Sequence, residues 1–145
     1  MSKKVVKHAI QLKGIMIKEL FIRVNSNNST FKDDTKHDFQ MSIGHSDYNK
    51  KLSEIDVGVV IKIGSPDLPE KDNITNKFDL KVHLLAKFSV DASRFPINKL
   101  EHWAENNAPL ILYPYIREHV HALTIRANIT PVLLPLMEVP TLKIE

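Results

Sequence analysis

The chain of 145 residues has no cysteine, four glycines and no apolar run long enough to cross a membrane. Without cysteine it can have no disulfide framework, thiol nucleophile or thiolate zinc site. It has no Gly-rich phosphate loop, and the G-x-S-x-G and H-E-x-x-H catalytic motifs are missing as well. We therefore expect a cytoplasmic protein that is not an enzyme, needs no cofactor and does not insert into a membrane.

No excess of one charge sign marks the chain either. Twenty Lys and Arg nearly balance seventeen Asp and Glu, which leaves a formal net charge of +3. The basic residues are spread along the sequence, whereas a nucleic-acid-binding face usually clusters them. His119 and His121 are two positions apart on a predicted helix and point in different directions, so they cannot share a metal ion. The sequence predicts neither a nucleic-acid partner nor a metal site.

The first two-thirds of the chain alternates between apolar and polar side chains in four segments. These segments span Ile10–Val24, 37–46, 52–64 and Phe78–Val90. The polar loops between them are too short for crossover helices, so they predict an antiparallel meander with one wet face. On the first strand the apolar face takes the even positions, with a bend or bulge near Gly14.

The period changes after Ser93, where the chain becomes helical. A short helix over 98–106 leads into a long amphipathic one, in which Pro109 suits the first turn and Pro114 either begins the main helix or kinks it. The predicted apolar face of this helix consists of Leu112, Tyr115, Ile116, His119, Val120, Leu123 and Ala127.

The last segment is apolar, but its prolines forbid a helix. Pro131, Pro135 and Pro140 leave an extended stretch from Val132 to Met137. A helix on one face of an antiparallel sheet, followed by an extended apolar tail, is an α+β domain. We expect residues 1–145 to form one such domain.

The stretch NAPLILYPYIREHVHALTIRANITPVLLPLMEV, residues 107–139, resembles the SecB family of protein-export chaperones. The heptapeptide LYPYIRE, Leu112 to Glu118, carries most of the resemblance, and the four strands are similar in number, order and length. The resemblance implies a cytosolic, ATP-independent holdase that binds unfolded polypeptides or preproteins in apolar grooves. It also implies a homo-oligomer built as a dimer of dimers. Because the chain stops at Glu145, we expect it to lack the family's last long helix.

Three groups of candidate site residues follow from the resemblance. The polypeptide-binding candidates are Phe39, Met41, Ile43, Ile55, Val57, Val59, Leu133, Leu134, Leu136 and Met137. The oligomer-interface candidates are Leu80, Val82, Leu84, Tyr115, His119 and Leu123. At the positions that resemble the acidic docking face for the SecA motor, Glu19 and Asp79 are acidic while Arg23 and Lys81 are basic. For the strand residues, a place in the core under the helix is the alternative.

Three functions remain open at the level of sequence. The first is a holdase for unfolded chains in protein export, with SecA as partner. The second is a SecB-like chaperone that guards the antitoxin of a toxin–antitoxin system. The third is an interaction module for a single partner without general chaperone activity.

Overall fold

The computed structural model describes residues 2–25, 38–69 and 76–137, and within them four strands form one antiparallel sheet. The strands are β1 (Ile10–Val24), β2 (Phe39–His45), β3 (Glu54–Ile63) and β4 (Phe78–Val90). Most of the predicted polar loop over 25–36, the middle of the one over 65–77, residue 37 and the end of the tail from residue 138 lie outside the described residues. The α+β architecture that the sequence predicts is confirmed.

The strand order is β1-β4-β3-β2, so the meander comprises β2, β3 and β4. β1 pairs with β4 and not with its neighbour in sequence. Strand length gives a physical reason for this order. β1 has 15 residues and β4 has 13, whereas β2 has only 7. Pairing the two longest strands satisfies the most backbone N–H and C=O groups.

β1 contains two register shifts, and they change which side chains face the helices. The shifts fall between Leu12 and Gly14 and between Ile17 and Glu19. Opposed residues of an antiparallel pair share a face. Ile17 therefore lies on the helix face, opposite Leu84, while Met16 lies on the outer face. The predicted even-numbered face is thus correct at both ends of β1 and wrong at Gly14 and Met16, because each bulge shifts the alternation by one residue.

Two helices cover one face of the sheet. α1 (Leu100–Asn106) lies over β2, and α2 (Ala108–Arg126) crosses β4, β3 and β1. Asn107 alone separates them, and a 3-10 turn at Ile97–Lys99 precedes them. The core between the helices and the sheet takes the helix-facing side chains of β3 and β4. No helix in the described part of the chain is long and apolar enough to span a membrane.

The buried face of α2 is rotated from the predicted one. Pro109 lies in the first turn, as predicted, and the helix continues through Pro114. Tyr115 is 43% exposed, however, whereas Tyr113 is buried. Either tyrosine could border the apolar stripe, and the rest of the fold selects Tyr113 because the tail after α2 packs on that side.

Candidate functional site: the tail packed on the second helix

A sharp reversal at the end of α2 turns the chain back along the helix. Asn128 has a φ of 57° and stands just after the helix. The amide of Asn128 donates to the Ile125 carbonyl, and that of Ile129 donates to the Thr124 carbonyl. This is a Schellman motif, which satisfies carbonyls that the helix end would leave unpaired. The tail, residues 130–137, therefore starts at a fixed place and direction.

The tail is held to α2 by side chains that bond its backbone. The amide of Val132 donates to Thr124 Oγ1 at 3.0 Å. Arg117 Nε donates to the Leu134 carbonyl at 2.9 Å. The Tyr113 hydroxyl donates to the Pro135 carbonyl.

The contacts move from Thr124 to Arg117 to Tyr113 as the tail advances, so the tail runs antiparallel to α2. Burial raises the pKa of Tyr113 despite the nearby charge of Arg117, which keeps this hydroxyl a donor at neutral pH. We call Tyr113, Arg117 and Thr124 the clamp.

Side chains from Pro131 to Pro135 alternate between solvent and the core, and the next two residues both face solvent. Val132 and Leu134 are buried in the hydrophobic core. Leu133, Leu136 and Met137 are 66%, 80% and 39% exposed. Pro131 and Pro135 cannot donate hydrogen bonds and favour extended backbone, so they suit this alternation. The result is a row of apolar side chains displayed on a backbone that is fixed from behind.

The other predicted polypeptide-binding residues lie on β2 and β3, where their exposure differs. Ile55, Val57 and Val59 are buried beneath the helices, which is the core position that the sequence left open as an alternative. Phe39 and Met41 are partly buried and pack against that core. Ile43 is exposed, on the helix side of the edge strand β2. Among the ten candidates, Ile43 and three tail residues are therefore the exposed ones.

The predicted oligomer-interface residues divide in the same way. Leu80, Val82 and Leu84 have no exposed surface, and Leu123 is also buried. They support the sheet and helix from inside the protomer. Tyr115 is exposed and His119 partly so, on the side of α2 away from the sheet. Ile111 and Ile125 are exposed large apolar residues on the same helix.

The acidic candidates for motor docking lie on the outer face of the sheet, where bases neutralise them. Arg23 Nη2 lies 2.8 Å from Asp79 Oδ2, and Lys81 Nζ lies 3.1 Å from Glu19 Oε2. Asp79 is buried, which raises the pKa of its carboxyl, but hydrogen bonds from Asn25 and the Ser65 amide together with Arg23 lower the pKa below its usual range. The hydrogen bond and charge of Glu19 contribute to a raised pKa of Lys81. Both acids are therefore already paired with a base within the protomer.

The outer face also has two shallow depressions, of about 450 and 420 Å³. Asp56 and Leu85 line both of them. Gly14 borders the first and Gly58 the second, where a missing side chain leaves the sheet backbone accessible. Among the described residues that line them, no nucleophile is paired with a base.

The sequence did not predict the clamp. Helical periodicity selects apolar positions, and it gives no weight to a polar residue that bonds the backbone of a later segment. Tyr113 and Arg117 do stand within LYPYIRE, so the motif marked the region without revealing its role. Among the described residues, one His–carboxylate cluster also has its ligand atoms within 4.8 Å of one another: His45, Glu101 and Glu105, where β2 meets α1.

Comparison with known proteins agrees with this fold. Residues 3–142 match the family model described as preprotein translocase subunit SecB. Among solved structures, the chain is similar to a SecB-like chaperone of Mycobacterium tuberculosis in complex with a peptide from the HigA1 antitoxin. The sequence identity is 18%, the TM-score is 0.68, and the match covers 89% of this chain and 91% of that one.

A second solved structure, a protein of unknown function from Streptococcus agalactiae, has 10% identity and a TM-score of 0.46, covering 88% of this chain and 97% of its own. No curated protein matches the chain.

Proposed function

The chain belongs to the SecB family and is a SecB-like chaperone, and we propose that it holds unfolded polypeptides, without nucleotide, on the apolar row of its tail. The family is non-enzymatic. We place the protein in the cytoplasm, where unfolded polypeptides are available to it before export or assembly. The clients are unfolded polypeptides, whose exposed apolar side chains and unpaired backbone match such a surface.

The observation that carries this proposal is the exposure of Leu133, Leu136 and Met137. They lie on, or directly after, the stretch of backbone that the clamp holds. Exposed apolar side chains gain free energy when a partner covers them, about 25 cal/mol per Å² of apolar surface removed from water. Because the clamp has already ordered the backbone, a client meets a row that loses little further entropy on binding. Apolar contacts are non-directional, so a surface of this kind suits many sequences.

Two uses of such a surface are open, and the outer face of the sheet favours the dedicated one. Docking to an export motor through acidic residues needs carboxylates that are free to pair with the motor. Here Glu19 is paired with Lys81 and Asp79 with Arg23, so a motor would have to displace both bases. The similar Mycobacterium tuberculosis chaperone was solved with an antitoxin peptide. We therefore propose a dedicated client, such as an antitoxin, ahead of SecA-dependent export.

We also propose that the protein works as a homo-oligomer, a dimer of dimers. The support is the exposed apolar side of α2, with Ile111, Tyr115 and Ile125. One exposed apolar side chain is ordinary, but three on one helix favour contact with a second copy.

The test of client binding is a double substitution, Leu133→Ser with Leu136→Ser. Both side chains are exposed, so the variant should fold and melt like the wild type. We expect its affinity for a chemically unfolded, fluorescently labelled polypeptide to fall at least about tenfold, a loss of about 1.4 kcal/mol. Suppression of client aggregation, followed by light scattering, should weaken in parallel.

The matched control is Leu52→Ser, because Leu52 is an equally exposed leucine in the turn between β2 and β3, away from the tail. It should bind the client like the wild type. If the double variant kept full affinity, the tail would not be the client surface. If both variants lost affinity equally, client binding would reflect general surface hydrophobicity and not a specific site.

A general and a dedicated chaperone differ in the range of clients that they bind. A general holdase suppresses aggregation of several unrelated unfolded proteins near one client per oligomer. A dedicated one binds its antitoxin peptide saturably and leaves unrelated clients to aggregate. Both activities should fall in the Leu133→Ser, Leu136→Ser variant, so this comparison separates the two uses without testing the site again.

A further inference from the structure

β2 and α1 meet at three side chains with the chemistry of metal ligands, on the protomer's edge strand. His45 is the last residue of β2, and its Nδ1 lies 2.8 Å from the Ser46 carbonyl oxygen. A carbonyl can only accept, so Nδ1 carries the proton in this contact. The lone pair of the neutral ring is then on Nε2, which points at α1. Metal-binding histidines are oriented by such a bond from their other nitrogen.

The carbonyl that orients His45 is itself fixed. The Ser46 amide donates to the Asp56 carbonyl at 2.9 Å, and the Asp56 amide donates to Ser46 Oγ at 3.0 Å. These two bonds extend the pairing of β2 with β3 by one residue. The imidazole is therefore held by the sheet and does not rely on the exposed glutamates for its position.

Glu101 and Glu105 complete the group from α1. They are four residues apart, so they lie one turn above each other on the same side of the helix. His45 Nε2 lies 3.8 Å from Glu101 Oε1 and 3.5 Å from Glu105 Oε1. Ligand atoms about 2.1 Å from one tetrahedral zinc ion stand about 3.4 Å apart. The observed separations need little adjustment, and both glutamate side chains are free to make it.

Among the described residues, the two glutamates of this group have no lysine or arginine partner. No Lys or Arg of the described residues lies within 4 Å of Glu101 or Glu105. Two like charges at this spacing destabilise a helix, and a neutral imidazole does not cancel them. A divalent cation among the three side chains would cancel both charges. Both carboxylates face solvent, so an ion could enter and keep a water molecule as its fourth ligand.

We propose that His45, Glu101 and Glu105 form a binding site for a zinc-class divalent cation, which ties the end of β2 to α1. One imidazole and two carboxylates suit Zn²⁺ and the neighbouring first-row metals better than Ca²⁺ or Mg²⁺, which prefer oxygen alone. The site lies two residues from Ile43, the exposed apolar residue of β2, so the ion would stiffen the edge of the protomer next to that residue. This role is independent of the client-binding proposal.

The test is isothermal titration of the full chain with ZnCl₂ at pH 7.5 in a buffer that does not chelate metals. We expect saturation at one ion per protomer. His45→Asn and Glu105→Gln should each weaken binding at least about tenfold. Titration with Co²⁺ gives a second readout, because the visible absorption of a four-coordinate site is strong and should be lost in both variants.

The control is His102→Asn, the same substitution on α1 at an exposed histidine that contacts Asn106 and lies outside the cluster. It should bind zinc like the wild type. Circular dichroism and thermal unfolding without metal check that each variant folds. If His45→Asn did not fold, Glu105→Gln would decide, since its side chain faces solvent.

Three results would overturn the proposal. If the zinc titration did not saturate, the cluster would be an ion pair between protonated His45 and the glutamates and not a metal site. Unchanged affinity in the folded His45→Asn or Glu105→Gln variant would place the ion elsewhere. An equal loss in His102→Asn would point to nonspecific binding by surface histidines.

Discussion

At the scale of single residues, Thr124 forms hydrogen bonds both within α2 and to the tail. Its hydroxyl lies within hydrogen-bonding distance of the carbonyls of Val120 and His121, as threonine often does in a helix. Its oxygen also accepts the amide of Val132, which is buried. The side chain thus provides the one polar contact that lets a backbone amide enter the core.

Thr124→Val should destabilise the protein by about 2 kcal/mol, because the substitution keeps the shape and leaves the Val132 amide buried without an acceptor. Urea unfolding measures the loss. Thr130→Val, at an exposed position of the tail, is the matched control and should change little. Equal stabilities of the two variants would show that Thr124 does not hold the tail.

Asp79 is the second residue whose chemistry can be tested alone. Asp79→Asn should lower the free energy of unfolding by about 2 kcal/mol at pH 7, because Arg23 loses its anion and the bonds from Asn25 and Ser65 lose a charged acceptor. Asp67→Asn, at an exposed carboxylate paired with Lys62, should have little effect.

The pH dependence follows from the lowered pKa of Asp79. A carboxyl whose pKa is lower in the folded than in the unfolded state contributes stability above its unfolded pKa, and loses it as the pH falls through the folded pKa. The difference between wild type and Asp79→Asn should therefore be largest near neutral pH and shrink in acid. A difference that grew in acid would contradict this assignment.

At the scale of elements, the reversal after α2 decides where the tail goes. Asn128 is the residue with positive φ in the Schellman motif. Non-glycine residues other than Asn and Asp adopt this conformation at a cost of about 1 kcal/mol. The sequence Ala-Asn at 127–128 is thus a stop signal that also sets the direction of the tail.

Asn128→Ala should lower the free energy of unfolding by about 1 kcal/mol, whereas Asn128→Gly should leave it unchanged or raise it slightly. Chemical denaturation of both variants measures the difference. Amide hydrogen exchange at Val132 should speed up only in the alanine variant. If alanine and glycine behaved alike, the left-handed conformation would not govern the reversal.

β1 shows which features of a strand the local sequence pattern predicts. Alternation over Ile10–Val24 correctly predicted a long strand, with an irregularity near Gly14. It did not reveal the second shift near Lys18, since lysine carries no signal for a bulge. Met16 and Ile17 lie between the two shifts, and their faces follow from the pairing of β1 with β4.

At the scale of the whole molecule, the exposed side of α2 carries the proposed assembly. Tyr115→Ser should reduce the mass measured by size-exclusion chromatography with light scattering, because it removes a large apolar side chain from the proposed subunit contact. The stability of the folded protomer should change little, since Tyr115 is exposed. Leu52→Ser should keep the wild-type mass. A Tyr115→Ser protein of unchanged mass would place the subunit contacts elsewhere.

Two patterns by themselves determined the type of each element. Alternation with period two predicted the strands, and helical periodicity from Leu112 to Ala127 predicted the long helix. Pro131 and Pro135 predicted the extended tail, and all these signals depend on neighbours in the chain. LYPYIRE led to the family.

Only the tertiary structure decided which apolar residues remain accessible. Ile55 and Leu133 look equally apolar in sequence, yet the helices bury the first and the clamp turns the second outward. The pairing of Glu19 with Lys81 and of Asp79 with Arg23, and the meeting of His45 with Glu101, likewise join segments that are distant in the chain. Accessibility and charge neutralisation are properties of such long-range contacts, which local patterns do not encode.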